Sequence, residues 1–187
     1  VGLLDADVYG PSIPHLLGAT GEPTIIERAG PDGKLIPRIQ PIEVDGIRLM
    51  SMGFHIAVDQ AVIWRGPLLA RTLTQFLQAT DWGDLDFLVV DMPPGTSDAP
   101  LTVMQVLSMD GFVVVTTPQS LAALDAKRSI NMIKKLNVEV LGVVENLSGA
   151  MFGTGAGEQL ATDMNLAFLP MNPGKTFGRL RRMSLEE

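Results

Sequence analysis

Short apolar runs separated by helical patterns are the feature of this sequence that most restricts its fold. The runs lie at residues 1–4, 87–90, 112–116, 140–144 and 167–169, and each ends in a polar or Gly/Pro-rich loop. Because the runs are continuous rather than alternating, they predict strands that are buried on both faces. Helical segments lie between them, so right-handed βαβ crossovers and a mostly parallel sheet flanked by helices are expected. The fold class is therefore α/β.

Helical spacing of apolar side chains marks two of the segments between the runs. One helix is expected to begin near Pro67, and another is expected over residues 121–136. Residues 39–52 form two short runs around Asp45-Gly46, a dipeptide that suits hairpin turns with positive φ, so a small antiparallel hairpin is expected there. Residues 18–41 are rich in Gly and Pro and are expected to form an irregular surface segment.

Composition excludes several classes of protein. The chain has 187 residues, of which 46% are hydrophobic, and one domain over residues 1–187 is expected. No apolar run approaches the roughly 20 residues of a membrane-spanning helix, and no secretory signal is visible, which favours a cytoplasmic protein. A net charge of −7 argues against a nucleic-acid-binding surface. The absence of cysteine excludes disulfides and thiolate metal sites built by this chain alone.

The C-terminal segment at residues 175–185 mixes basic and apolar side chains and has two interpretations. It could be an amphipathic membrane-binding helix of the kind that lies in the lipid interface. It is short, interrupted by Gly178 and followed by two glutamates, however, which favours a peripheral or frayed helix. Membrane binding is therefore not expected.

Carboxylates follow two of the apolar runs, at the strand ends where open parallel sheets bind ligands. Asp5 and Asp7 follow the first run, and Asp91 follows the run at residues 87–90. Mg²⁺ prefers hard oxygen ligands and is often held through water beside nucleotide phosphates, which a Walker B carboxylate such as Asp91 would serve. Gly95, after two prolines, can bring a backbone N–H close to a terminal phosphate. A single Asp after a strand is as often a helix cap, so only the combination indicates a nucleotide site.

Further motifs appear in order along the chain and together indicate a specific protein family. The sequence resembles the Mrp (ApbC) ATPases, which are related to MinD and ParA, over roughly residues 1–170. The resemblance implies a three-layer, MinD-like P-loop NTPase that forms a homodimer, hydrolyses ATP and acts in iron–sulfur cluster assembly or transfer to apoprotein clients. The segments that carry it are residues 4–14 (LDADVYGPSIP), 50–54 (MSMGF), 64–67 (WRGP), 82–86 (WGDLD), 91–98 (DMPPGTSD), 116–119 (TTPQ) and 142–148 (GVVENLS).

The resemblance also implies roles for the residues on the phosphate side of the nucleotide. Asp7 matches the switch I carboxylate that orients the attacking water, and it is the candidate catalytic residue. Asp5 matches a nucleotide-side position in the Mg²⁺ environment, and Asp91 matches the carboxylate that holds Mg²⁺ through water. Gly95 matches the switch II glycine near the γ-phosphate.

Two more residues are implied on the adenine side. Pro118 and Asn146 match positions near the base in related ATPases. An asparagine amide suits this place because it offers the base both a donor and an acceptor. The interpretation of Asn146 as a simple turn residue is equally good.

Two motifs of the family are missing from these residues. The sequence contains no Gly-Lys-Gly-Gly-Val-Gly-Lys-[Ser/Thr] loop, and we expect the chain to begin after it and so to bind ATP weakly or not at all as it stands. The Cys-x-x-Cys pair that holds the cluster is also missing, and His15 and His55 show no metal-ligand spacing. No iron–sulfur ligand is expected from this chain, which argues against its carrying a cluster alone.

Three interpretations of function remain open. The first is an Mrp-type ATPase in iron–sulfur cluster assembly, with ATP and Mg²⁺ as cofactors, which the motifs at residues 64–67 and 93–96 favour. The second is a MinD-like ATPase without a cluster that uses its nucleotide state to recruit a partner, which the missing cysteines favour. The third is a scaffold that does not bind nucleotide. A phosphate-binding loop in the same protein would exclude the third.

Overall fold

The computed structural model describes residues 1–7, 9–54, 66–93, 98–106, 109–149 and 155–171. Contacts divide the chain into two compact units, Val1–Ser108 and Met109–Glu187. The expectation of a single domain stays a prediction. Gly95 and the C-terminal segment at residues 175–185 lie outside the described residues.

Strands and helices alternate along most of the chain, as the α/β prediction requires. In chain order the strands are β1 (Gly2–Asp5), β2 (Thr24–Ala29), β3 (Leu35–Gln40), β4 (Ile42–Val44), β5 (Ile47–Ser51), β6 (Leu88–Asp91), β7 (Phe112–Thr116), β8 (Val140–Glu145) and β9 (Ala167–Pro170). The helices are α1 (Ile13–Leu16), α2 (Gly66–Ala79), α3 (Asp98–Val106), α4 (Ser120–Lys135) and α5 (Ala156–Met164), and a 3-10 turn covers Met52–Phe54. No described helix is long and apolar enough to cross a lipid bilayer.

A 4-stranded sheet with the order β4-β5-β1-β6 forms the centre of the first unit. Strand β1 pairs in parallel with both β5 and β6, whereas β4 pairs with β5 in the antiparallel sense. Leu4, Leu49 and Met50 of this sheet are fully buried. Helix α2 begins next to Pro67, as predicted, and buries Leu73, Phe76 and Leu77 on its apolar face.

The turn between β4 and β5 confirms the predicted antiparallel hairpin. Asp45 and Gly46 both have positive φ, 49° and 76°. Two adjacent residues with positive φ are typical of the type I′ turn, whose twist matches that of the strands it joins. The Asp-Gly dipeptide was therefore a reliable signal for this element.

The prediction of an irregular segment over residues 18–41 is wrong, because strands β2 and β3 form an antiparallel ribbon there. Gly30 and Gly33 lie in the connection between the strands, where the Gly30 N–H donates to the Lys34 carbonyl over 2.7 Å. Arg28 pairs with Asp81 at 2.7 Å and anchors the ribbon to the segment after α2. The glycines thus belong to a turn, and β-branched residues on either side of it form the strands.

The second unit contains a 3-stranded parallel sheet with the order β7-β8-β9. Helices α4 and α5 contact these strands. Together they enclose a cluster of buried apolar side chains. Its members are Val114, Ala126, Ile130, Ile133, Val140, Val143, Leu160 and Ala161.

The prediction that the strands are buried on both faces is wrong for the described residues. Val113 and Val115 are 54% and 64% exposed, whereas Val114 between them is 8% exposed. Successive side chains of a strand point to opposite faces, and the described helices of the second unit cover only the face of Val114. Val89 of β6 is likewise 51% exposed.

The apolar face predicted for residues 121–136 is partly wrong. Leu121 and Leu124 are 76% and 46% exposed, and the buried side chains of α4 are Ala126, Ile130 and Ile133. These three recur at helical spacing on one face of the helix. The helix was predicted correctly, but its buried face does not include Leu121 and Leu124.

Candidate functional site

Three polar side chains meet at the carboxyl ends of neighbouring strands in the first unit. Asp5 is the last residue of β1, and its register partners are Ser51 of β5 and Asp91 of β6. In-register parallel strands end at one edge of the sheet, which is where such sheets bind ligands. The sheet therefore brings Asp5 and Asp91 together, as the sequence predicted.

Asp5 is 1% exposed and accepts hydrogen bonds from several parts of the chain. The Ser51 Oγ donates to Asp5 Oδ2 over 2.8 Å, and the backbone N–H of Ile13 donates to the same oxygen over 3.3 Å. The Asp7 N–H donates to Oδ1 over 3.2 Å. The Ser51 Oγ in turn accepts from the Gly53 N–H at 2.9 Å. Asp5 thus anchors the loop that carries Asp7.

Asp7 is partly exposed and shapes its own loop. Its Oδ1 accepts hydrogen bonds from the backbone N–H groups of Tyr9 and Gly10, over 3.2 and 3.3 Å. Such bonds from an Asp to residues just after it are typical of Asx turns. The carboxylate is therefore held by the backbone at one oxygen and reaches solvent near Asp91.

Negative charge is concentrated at this edge of the sheet. Burial raises the pKa of the Asp5 carboxyl, hydrogen bonds from Ser51, Ile13 and Asp7 oppose that shift, and the charge of Asp91 adds to it. The pKa of Asp91 is also raised, by burial first and by the charge of Asp7 second. Neighbouring negative charges of this kind favour a cation between or beside the carboxylates.

The donor set fits Mg²⁺ held mainly by water and phosphate oxygens. Both carboxylate oxygens of Asp5 accept hydrogen bonds, from Ser51 and from backbone N–H groups. Asp7 and Asp91 are therefore the carboxylates left to face a cation. In the part of the chain that the structure describes, no three His, Asp or Glu side chains converge on one point as in an all-protein cage. Mg²⁺ commonly uses only one or two protein carboxylates beside nucleotide phosphates.

The adenine-side candidates, Pro118 and Asn146, lie at the carboxyl edge of the sheet in the second unit. Thr116 pairs in register with Glu145, and the Asn146 N–H donates to the Thr116 carbonyl over 2.8 Å. Pro118 and Asn146 therefore follow neighbouring strands at the same edge. The Asn146 side chain is exposed, and its Oδ1 accepts from the Leu147 N–H at 2.8 Å, which fixes the amide.

A family model described as ParA, NUBPL iron-transfer P-loop NTPase, matches residues 1–176. The chain belongs to this family. The resemblance to Mrp and MinD-like ATPases drawn from the motifs is thereby confirmed.

Several relatives of this P-loop NTPase are named iron–sulfur cluster carrier protein. The protein from Synechocystis sp. is 45% identical in an alignment of 184 positions that covers 92% of this chain and 51% of the relative. The protein from Escherichia coli is 46% identical in an alignment of 184 positions that covers 92% of this chain and 48% of the relative. The chain spans about half the length of these curated relatives.

Solved structures support the same fold. A nucleotide-binding protein from Archaeoglobus fulgidus in complex with ADP is 34% identical, with a TM-score of 0.69 over 92% of this chain and 70% of that one. The cell division ATPase MinD from Pyrococcus furiosus is 20% identical, with a TM-score of 0.54 over 96% of this chain and 74% of its own. The α/β, MinD-like P-loop NTPase fold is thus confirmed.

Two polar residues of this NTPase escaped the sequence analysis. Ser51 lies within the motif at residues 50–54 but was given no role, and it proves to be the side-chain partner of Asp5. Glu145 lies at the end of β8, is fully buried, and accepts from the Gly157 N–H over 2.7 Å. Glu145 directly follows the apolar run at residues 140–144, the same signal that identified Asp5 and Asp91, so applying it to this run would have found Glu145. Ser51 does not follow a continuous apolar run, so the same signal does not find it.

Proposed function

We propose that the protein is an ATP-hydrolysing P-loop NTPase of the Mrp type that acts in iron–sulfur cluster assembly and transfer. The observation that carries this proposal is the alignment of Asp5 and Asp91 in register at one sheet edge, with Asp7 on a loop anchored by Asp5. The names of relatives at 45% and 46% identity support the cluster-related role. A cytoplasmic location and a homodimer belong to the same proposal.

Each carboxylate at this edge has a separate part in the proposed reaction. Asp91 holds Mg²⁺ through water, and the ion supplies charge neutralisation at the nucleotide phosphates. Asp7 orients the attacking water, because its carboxylate is partly exposed and fixed by its own loop. Asp5 belongs to the Mg²⁺ environment and acts by holding that loop. Gly95 offers its backbone N–H to the γ-phosphate.

Recognition of the base is assigned to the second unit. Pro118 contacts the adenine, and the Asn146 amide offers it a donor and an acceptor. The bond from the Leu147 N–H to Asn146 Oδ1 orients this amide before the base arrives. Because the amide is already oriented, less side-chain entropy is lost on binding.

The cluster requires ligands from outside these 187 residues, because they include no cysteine. Apoprotein clients are the proposed recipients. The missing cysteines also favour a second candidate, a MinD-like ATPase that carries no cluster and recruits a partner according to its nucleotide state.

Metal and sulfide analysis separates the two candidates. The full-length protein is reconstituted anaerobically with iron and sulfide, and bound iron, bound sulfide and ATP turnover are measured. The carrier function predicts stoichiometric iron and sulfide together with Mg²⁺-dependent turnover. Turnover without bound iron would support the MinD-like candidate, and no turnover at all would exclude both.

A further inference from the structure

Glu145 is a fully buried acidic side chain at the end of β8, next to Asn146. Its Oε2 accepts a hydrogen bond from the Gly157 N–H over 2.7 Å. Among the described residues, Oε1 has no hydrogen-bond partner. A buried carboxyl group that is only half satisfied is costly, so it is normally retained where it serves a purpose.

Gly157 lets the first turn of α5 sit directly on this carboxyl group. A Cβ at this position would lie 2.8 Å from Glu145 Oε2, 3.0 Å from Glu145 Cβ and 3.1 Å from Thr116 Cγ2. Any larger residue must therefore push the Glu145 side chain or the helix aside. The positive end of the helix dipole also favours an acidic group here.

The turn after Glu145 is fixed on both sides and strained in the middle. The Glu145 carbonyl accepts from the Met171 N–H and the Asn146 N–H donates to Thr116, both over 2.8 Å. Leu147 has a φ of 57°, in the left-handed region that residues other than glycine rarely adopt. Such a conformation persists only where its surroundings hold it in place.

We infer that Glu145, seated on α5 through Gly157, is a positioning residue for base recognition that holds the strained turn presenting Asn146. The inference rests on the proposed nucleotide-binding function. Glu145 does not touch the base, because its side chain is fully buried, whereas the Asn146 side chain is exposed. Glu145 acts through the backbone that joins it to Asn146.

The test compares a ligand that has a base with one that lacks it. Dissociation constants of Mg·ATP and Mg·tripolyphosphate are measured on the full-length protein by calorimetry. Glu145→Ala and Gly157→Ala should each raise the Kd of Mg·ATP about tenfold, the usual effect of one lost polar contact. The Kd of tripolyphosphate should change less than about twofold, because this ligand cannot contact Asn146.

Further variants separate positioning from stability. Glu145→Gln keeps an oxygen for the Gly157 N–H and should stay within about threefold of wild type for Mg·ATP. Glu158→Ala, which removes the exposed acidic residue in the first turn of α5, is the matched control and should change neither ligand. Asn146→Ala should match Glu145→Ala, and the double variant should lose no more than either single one.

Specific outcomes would overturn the inference. Equal weakening of both ligands would make Glu145 a stability residue only, and so would additive losses in the double variant. If Glu145→Ala does not fold, unchanged Mg·ATP binding by folded Gly157→Ala would be decisive against the inference. A wild-type protein that binds tripolyphosphate but not Mg·ATP would reject the base assignment of Asn146, and one that binds neither would reject the proposed function itself.

Discussion

Asp91 is exposed as a whole residue, but partial burial of its carboxyl group raises the pKa above the ordinary value of 3.8. A raised pKa means that the folded protein holds the proton more tightly than the unfolded chain. The contribution of this carboxyl group to stability is therefore fully present below pH 3.8 and is lost as the pH rises through the raised value. A carboxylate whose charge is less favourable in the folded chain than in the unfolded one is typical of a functional site.

Replacing Asp91 with Asn should therefore stabilise the protein and inactivate it. At pH 7 the free energy of unfolding should rise, by less than about 1 kcal/mol because the site is exposed to solvent screening. This gain in stability should disappear below about pH 3, where the Asp91 carboxyl group is protonated in both the folded and the unfolded wild-type chain. Mg²⁺-dependent turnover should fall roughly 100-fold. Chemical denaturation at several pH values checks the first part, and a gain that persists in acid would contradict it.

Substitution of Asp7 should reduce ATP turnover more than it weakens Mg·ATP binding. In Asp7→Ala the water-orienting carboxylate is lost, so kcat should fall about 100-fold or more, while the Kd of Mg·ATP should change less than about threefold. Asp7→Asn keeps an oxygen for the Tyr9 and Gly10 N–H groups and serves as the control for loop structure. Equal losses of binding and turnover in Asp7→Ala would contradict the catalytic role.

At the level of elements, the hairpin of β4 and β5 depends on its turn. Gly46 has a φ of 76° and open space where a Cβ would lie. Gly46→Ala should therefore cost about 1 kcal/mol through backbone conformation alone. Gly46→Asn should cost less, because Asn tolerates the left-handed region. Thermal unfolding of both variants checks this, and equal costs would show that the backbone is not the cause.

The elements also show how far sequence alone could lead. The strand ends at Asp5 and Asp91 were predictable, because apolar runs of a parallel sheet end at one edge. The ribbon of β2 and β3 was not, because its Gly and Pro content concealed two strands whose anchor, the Arg28–Asp81 pair, spans 53 positions. Ser51 was not predicted for the same reason, because it lies 46 positions from Asp5 in the sequence. Pairings between distant residues leave no local pattern to read.

For the molecule as a whole, the sequence could not say which sheet faces are covered. A run such as residues 112–115 is apolar at every position, so its periodicity is the same whether one face or both are buried. In each unit the described structure leaves apolar side chains exposed, Val89 in the first and Val113 and Val115 in the second. Exposed apolar surface of this kind favours association.

Adjacent valines of β7 offer a direct test of this exposure. Val115→Thr should change the free energy of unfolding by less than about 0.5 kcal/mol, because the side chain is 64% exposed. Val114→Thr, at 8% exposure, should cost about 1 to 3 kcal/mol by burying a hydroxyl. Only Val115→Thr should also reduce binding of an apolar fluorescent dye by the folded chain. Equal costs at the two positions would refute the one-sided covering of the sheet.

The in-register strand ends have a consequence for folding. Asp5 and Asp91 become neighbours only when β1 and β6 have paired, so an unfolded chain has no acidic cluster. A divalent cation that binds there recognises the native sheet alone, and its concentration sets an added stability through mass action. Repulsion between these two carboxylates weakens the cation-free protein, and cation binding offsets it. Binding of the cation would then report that β1 and β6 have paired.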